Sequence, residues 1–120
     1  MLSRLLLLIA LLAAPTGAAL AHAQLRAASP AVGATVTTTP TEIAITFSEG
    51  VEPKFSSIEV RDDSGARIDN ADPHNGSEGQ TKLIVSLLPL RPGVYTVRWQ
   101  VLSVDTHRTT GSYRFTLSAP

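Results

Sequence analysis

Ten basic residues balance ten acidic ones in this 120-residue chain, so no excess charge draws it to nucleic acid or to an anionic membrane surface. It contains no cysteine, which excludes a disulfide framework and any thiolate metal site. Its one methionine is Met1.

Arg4 precedes an apolar run over residues 5–14 and then a stretch of small residues, the layout of a secretory signal peptide. The run is about half of the roughly 20 residues that a helix needs to cross a bilayer. Ala19 and Ala21 flank Leu20 in the A-x-A pattern that signal peptidase accepts, which puts the expected cut between Ala21 and His22. Residues 1–21 are therefore expected to be a cleaved signal peptide, and residues 22–120 one small exported domain. That processed chain begins on a histidine, contains no sulfur and has no apolar run long enough to span a membrane.

Beyond the leader, apolar residues recur with period two in short runs separated by turn residues, the pattern of half-buried strands. Residues 42–47 place Ile43, Ile45 and Phe47 on one face, and residues 56–60 and 82–88 read as further strands, the latter with Leu83, Val85 and Leu87 together. Asp69 to Gln80 is polar and Gly-rich and reads as one long surface loop. After the Arg91-Pro92-Gly93 turn, the longest strand carries Tyr95, Val97, Trp99 and Val101 on its core face. Gly111 opens a final strand with Tyr113, Phe115 and Leu117 inward and Arg114 outward. With no convincing amphipathic helix, the expected fold is all-β, a Greek-key sandwich or barrel of about seven strands, immunoglobulin-like or cupredoxin-like.

Asp105 and His107 stand two apart just beyond the longest strand, where an extended chain points both side chains the same way. A carboxylate and an imidazole then converge at the rim of the sandwich. On its own the pair reads better as a solvated turn in which Asp105 caps backbone amides. His22 adds to it, because cleavage would give this residue a free α-amine beside its own imidazole, able to chelate one metal ion. The alternative is a residue left by chance at the cleavage site. Three nitrogens from His22 and His107 with an oxygen from Asp105 suit tetragonal Cu(II), and divalent copper stands above zinc in affinity for such donors. Glu49, directly after a strand, is either an outer carboxylate near the metal or an exposed strand-end residue. His74, in Asp72-Pro73-His74-Asn75-Gly76, has no spaced partner and reads as a surface histidine.

These residues form an ordered set: His22 and Leu25, Ser29-Pro30 and Gly33, Pro40, Phe47-Ser48-Glu49 with Val51, and then Trp99, Ser103, Asp105, His107, Gly111 and Phe115. The set resembles the CopC-like copper resistance proteins of the bacterial periplasm along essentially the whole processed chain. The resemblance implies a Greek-key β domain in the periplasm, monomeric and not an enzyme. It also implies one Cu(II) per chain held by His22, Asp105 and His107, a role in copper homeostasis, and copper delivery to a CopD-type integral-membrane protein. Some relatives have a further methionine-rich Cu(I) site, for which this chain lacks the residues. Thr106 and Arg108 stand where many relatives have Gly and Pro. Two other readings stay open at this stage. One is a mono-oxygenase-like copper enzyme built on an N-terminal histidine chelate, which would need an open coordination position and exposed aromatics. The other is a metal-free β-sandwich used for protein contact.

Overall fold

The computed structural model describes residues 23–119; the expected signal peptide and His22 lie outside the described residues. The alternating sequence folds into eight strands: β1 Leu25–Ser29, β2 Thr35–Val36, β3 Glu42–Phe47, β4 Ser57–Arg61, β5 His74–Gly76, β6 Gly79–Ser86, β7 Gly93–Leu102 and β8 Arg108–Leu117. They form two four-stranded sheets, ordered β1-β3-β6-β5 and β2-β8-β7-β4, packed as a sandwich. Pairing is antiparallel except between β2 and β8. Strands distant in sequence pair within each sheet and the chain repeatedly changes sheet, as the expected Greek-key arrangement requires. The short β2 and β5 raise the strand number above the expected seven.

The core is where the period-two pattern puts it. Ile43, Ile45 and Phe47 of β3 and Leu83 and Val85 of β6 face Ile58 and Val60 of β4, Tyr95, Val97 and Val101 of β7, and Tyr113, Phe115 and Leu117 of β8. A fully buried side chain of this size contributes about 1.5–3 kcal/mol. Trp99 is only half-buried; its ring packs 6.0 Å from that of Phe47. The indole also lies over Gly111, its register partner, where a Cβ would fall 2.0 Å from the ring. Glycine at this position is thus a packing requirement of Trp99. At the other end of β7 the Tyr95 hydroxyl accepts from Arg91 N at 3.0 Å and donates to Arg91 O, which pins the Pro92-Gly93 turn to the core.

Residues 69–80 are not the single loop that their polarity suggests. They contain β5, which pairs with β6, and they are tied down through Asp69 and Asp72. Asp72 accepts from Ser86 N at 2.8 Å and from the Ser86 hydroxyl at 2.6 Å. Asp69 is buried, its carboxylate accepting from Val60 N at 2.8 Å, Ala71 N at 3.1 Å and both Nε and Nη2 of Arg67 at 2.9 Å. Side-chain hydrogen bonding to backbone has replaced a ladder that polarity alone could not reveal.

The β7–β8 turn holds Thr106 at φ 73, a left-handed conformation that costs a β-branched residue about 1–3 kcal/mol. Glycine occupies it without that cost.

Two stability predictions follow from these placements. Burial raises the Asp69 pKa, but hydrogen bonds from Arg67, Val60 and Ala71 outweigh it and leave the carboxyl below its ordinary value. Asp69 therefore stabilises the fold above its unfolded value of about 3.9, and that contribution is lost as pH falls through the lower folded value. Asp69→Ala strands the Val60 amide and should cost about 2 kcal/mol at pH 7 in urea denaturation, with a shallower acid limb than wild type. Equal acid limbs would contradict this account. Thr106→Gly should raise the urea midpoint by the equivalent of about 1 kcal/mol, strain relief exceeding the added chain entropy; a lowered midpoint would show that Thr106 is not strained.

Candidate metal centre

The β7–β8 ladder runs from Gly93↔Leu117 to Leu102↔Arg108, so residues 103–107 must reverse the chain at its end. Ser103 N donates to His107 O at 2.9 Å and Thr106 N to Ser103 O at 2.8 Å, closing a tight turn. Within it Asp105 Oδ1 lies 3.3 Å from His107 Nδ1, with both side chains open to solvent. The sequence argument put this pair on one side of an extended strand. The structure brings the two together by a turn, made possible by the positive φ at Thr106 between them. The Ser103 hydroxyl, donating to Asp105 Oδ1, is the main cause holding the Asp105 carboxyl below its ordinary range; desolvation opposes it, and His107 adds to the lowering. Asp105 is therefore ionised at neutral pH.

Two other segments meet this turn. Gln24 N donates to Ser48 Oγ at 2.8 Å and Ser48 N to Gln24 O at 2.8 Å, fastening the chain entry to the end of β3. The Thr109 hydroxyl donates to Ala23 O at 2.9 Å, and Ala23 is itself buried. The residue that directly follows His22 is thus fixed between Ser48 and a residue two places past His107. On the far side of the turn, Val104 N donates to Gly50 O at 2.9 Å and Val51 bridges Ser103, which sets Glu49 beside the same rim. Glu49 Oε2 is buried and has no hydrogen-bond partner among the described residues.

The structure therefore unites Asp105 and His107, holds Glu49 and the chain entry next to them, and leaves His74 elsewhere. His74 lies on β5 at the edge of the opposite sheet, its Nδ1 2.8 Å from Asp72 O. Among the described residues no group of three or more His, Cys, Asp and Glu is arranged to hold a metal ion. The Asp105–His107 pair supplies an oxygen and a nitrogen, and a complete shell needs donors from outside the described residues. A buried carboxylate oxygen without a partner suits a cation or a donor arriving at that point. Sequence reasoning missed Thr109, whose short side chain on a strand gives no signal without the Ala23 contact. It missed Ser103 as a component of the turn for the same reason.

The CopC domain family matches residues 25–118 of this chain. Protein YobA of Escherichia coli K12 is 42% identical over 98 residues, covering 81% of this chain and 79% of its own. The crystal structure of CopC from Methylosinus trichosporium OB3b superposes with a TM-score of 0.76 at 32% identity, over 82% of this chain and 95% of that one. PcoC of E. coli, described as a methionine-rich copper resistance protein, superposes with a TM-score of 0.71 at 29% identity, over 81% and 99%. Matching fold and sequence along nearly all of the described residues place the chain in the CopC family of copper resistance proteins.

Proposed function

We propose that the protein is an exported, non-catalytic Cu(II) carrier or buffer of the periplasm, binding one ion per chain. Cleavage after Ala21 would expose His22, whose amine and imidazole join Asp105 and the His107 imidazole around the ion, with Glu49 as an outer carboxylate. Copper is the cargo, passed on to a CopD-type membrane protein.

The observation that carries this reading is the convergence on one rim of three segments distant in sequence. Asp105 and His107 lie 3.3 Å apart at their nearest side-chain atoms, beside a chain entry anchored through Ala23 and Gln24. An entry so anchored reduces the entropy lost when the preceding residue binds an ion. Nitrogen donors supplemented by a carboxylate suit divalent copper, and the processed chain has no sulfur with which to favour Cu(I). The carrier reading is favoured over a copper mono-oxygenase by the aromatic residues. Phe47, Tyr95, Tyr113 and Phe115 are buried, Trp99 is half-buried against Phe47, and Phe55 is exposed on its own, so the described residues present no aromatic platform around the rim.

The test is electron paramagnetic resonance and chelator competition on protein processed to begin at His22. His107→Ala and Asp105→Ala should each weaken Cu(II) binding by more than the roughly 10–100-fold that outer-sphere changes cause, and His107→Ala should remove one nitrogen from the hyperfine pattern. One extra residue before His22 should abolish the chelate without lowering the melting temperature of the metal-free protein. Undiminished binding by the extended chain would refute the proposed site.

A further inference from the structure

The geometry assigns Ser103 as the positioning residue of the Asp-x-His turn: its hydroxyl orients the Asp105 carboxylate for the ion. This rests on the copper site proposed above and goes beyond it. Ser103 and Asp69 are the polar residues buried among the described residues, and Ser103 is wholly shielded at 0% exposure. A buried hydroxyl needs partners, and those of Ser103 all lie in this turn. Its Oγ donates its one proton to Asp105 Oδ1 and accepts from His107 N at 3.2 Å. Its backbone N and O hold His107 O and Thr106 N, while its register partner Val51 belongs to the segment bearing Glu49.

The side chain and the backbone of Ser103 have separable tasks. The backbone bonds close the turn and survive any substitution but proline. The hydroxyl acts on the carboxylate, an exposed side chain whose other partner is His107, 3.3 Å away. Holding that carboxylate in one rotamer before the ion arrives removes an ordering cost from binding. The hydrogen bond also restricts Oδ1, which directs the carboxylate's remaining acceptor capacity toward the ion. Outer partners of this kind typically govern 10–100-fold in metal affinity.

The experiment is a double-mutant cycle on protein processed to His22, read by Cu(II) chelator competition, the paramagnetic resonance spectrum and thermal melting of the metal-free form. Ser103→Ala should lower Cu(II) affinity about 10–100-fold and alter the spectrum. In an Asp105→Ala background the same change should have a much smaller effect, because the carboxylate it orients is gone and only the 3.2 Å bond from His107 N is left to lose. Ser103→Thr, which keeps the hydroxyl, should bind within a few-fold of wild type, and it carries the test alone if Ser103→Ala does not fold. Wild-type affinity and spectrum in Ser103→Ala, an equal loss with and without Asp105, or loss of affinity in folded Ser103→Thr would each overturn the assignment. If Asp105→Ala itself binds copper as wild type does, the site reading fails rather than the role of Ser103 within it.

Discussion

The register of β7 against β8 is the constraint on which the rest depends. Side chains alternate faces along a strand, so a slip of one residue would turn either Tyr95, Val97 and Val101 or Tyr113, Phe115 and Leu117 out to solvent. Three interactions hold that register along its length. Tyr95 fastens the entry turn through Arg91, Trp99 occupies the space left by Gly111 at mid-ladder, and Ser103 closes the far end onto His107. A slip would lose all three at once. It would also move Asp105 and His107 off the rim, so the core that stabilises the sandwich and the turn that carries its chemistry are specified by one alignment.

Contacts of high sequence separation then bring the remaining parts to that turn. The Thr109 hydroxyl meets Ala23, and Ser48 exchanges hydrogen bonds with Gln24, so the first described residues are fixed by the end of β3 and the start of β8. The segment from Glu49 to Val51 leaves β3 and crosses to the opposite sheet along Ser103 and Val104. Each of these bonds also satisfies backbone groups where a strand ends and the ladder can no longer do so. The rim is therefore ordered by the ordinary need to pair polar groups at the edge of a sandwich, and the juxtaposition of functional side chains follows from it.

Much of this was legible in the sequence because period two is a strong signal. Ile43, Ile45 and Phe47, then Tyr95, Val97 and Val101, and then Tyr113, Phe115 and Leu117 are buried as their alternation predicts, while Trp99 on the same face is half-buried. Other features were not legible, and for physical reasons. In the segment from Asp69 to Gln80, Asp69 serves the buried Val60 amide and Asp72 pins Ser86, and composition does not distinguish such a segment from a solvated loop. β2 and β5 are too short to show alternation. At the candidate site, Asp105 and His107 were identified from their spacing, but the turn that unites them depends on a threonine in a conformation that sequence reasoning assigns to glycine. Ser103 and Thr109 act through single hydroxyls whose partners lie in the turn or at the far end of the chain.

The donor set bears on oxidation state as well as on location. PcoC is described as methionine-rich, and this chain shares its fold while holding no methionine beyond Met1 and no cysteine. Thioether and thiolate donors favour Cu(I), whereas imidazole, amine and carboxylate favour the divalent ion. Two relatives on one scaffold thus differ in the chemistry they can offer a reduced ion. On this chain an ionised Asp105 beside an imidazole offers oxygen and nitrogen donors at the rim, and under the proposal above reduction of the ion would weaken its hold. The Cu(II) carrier proposed above would accordingly yield its ion to a partner that supplies an electron or softer ligands.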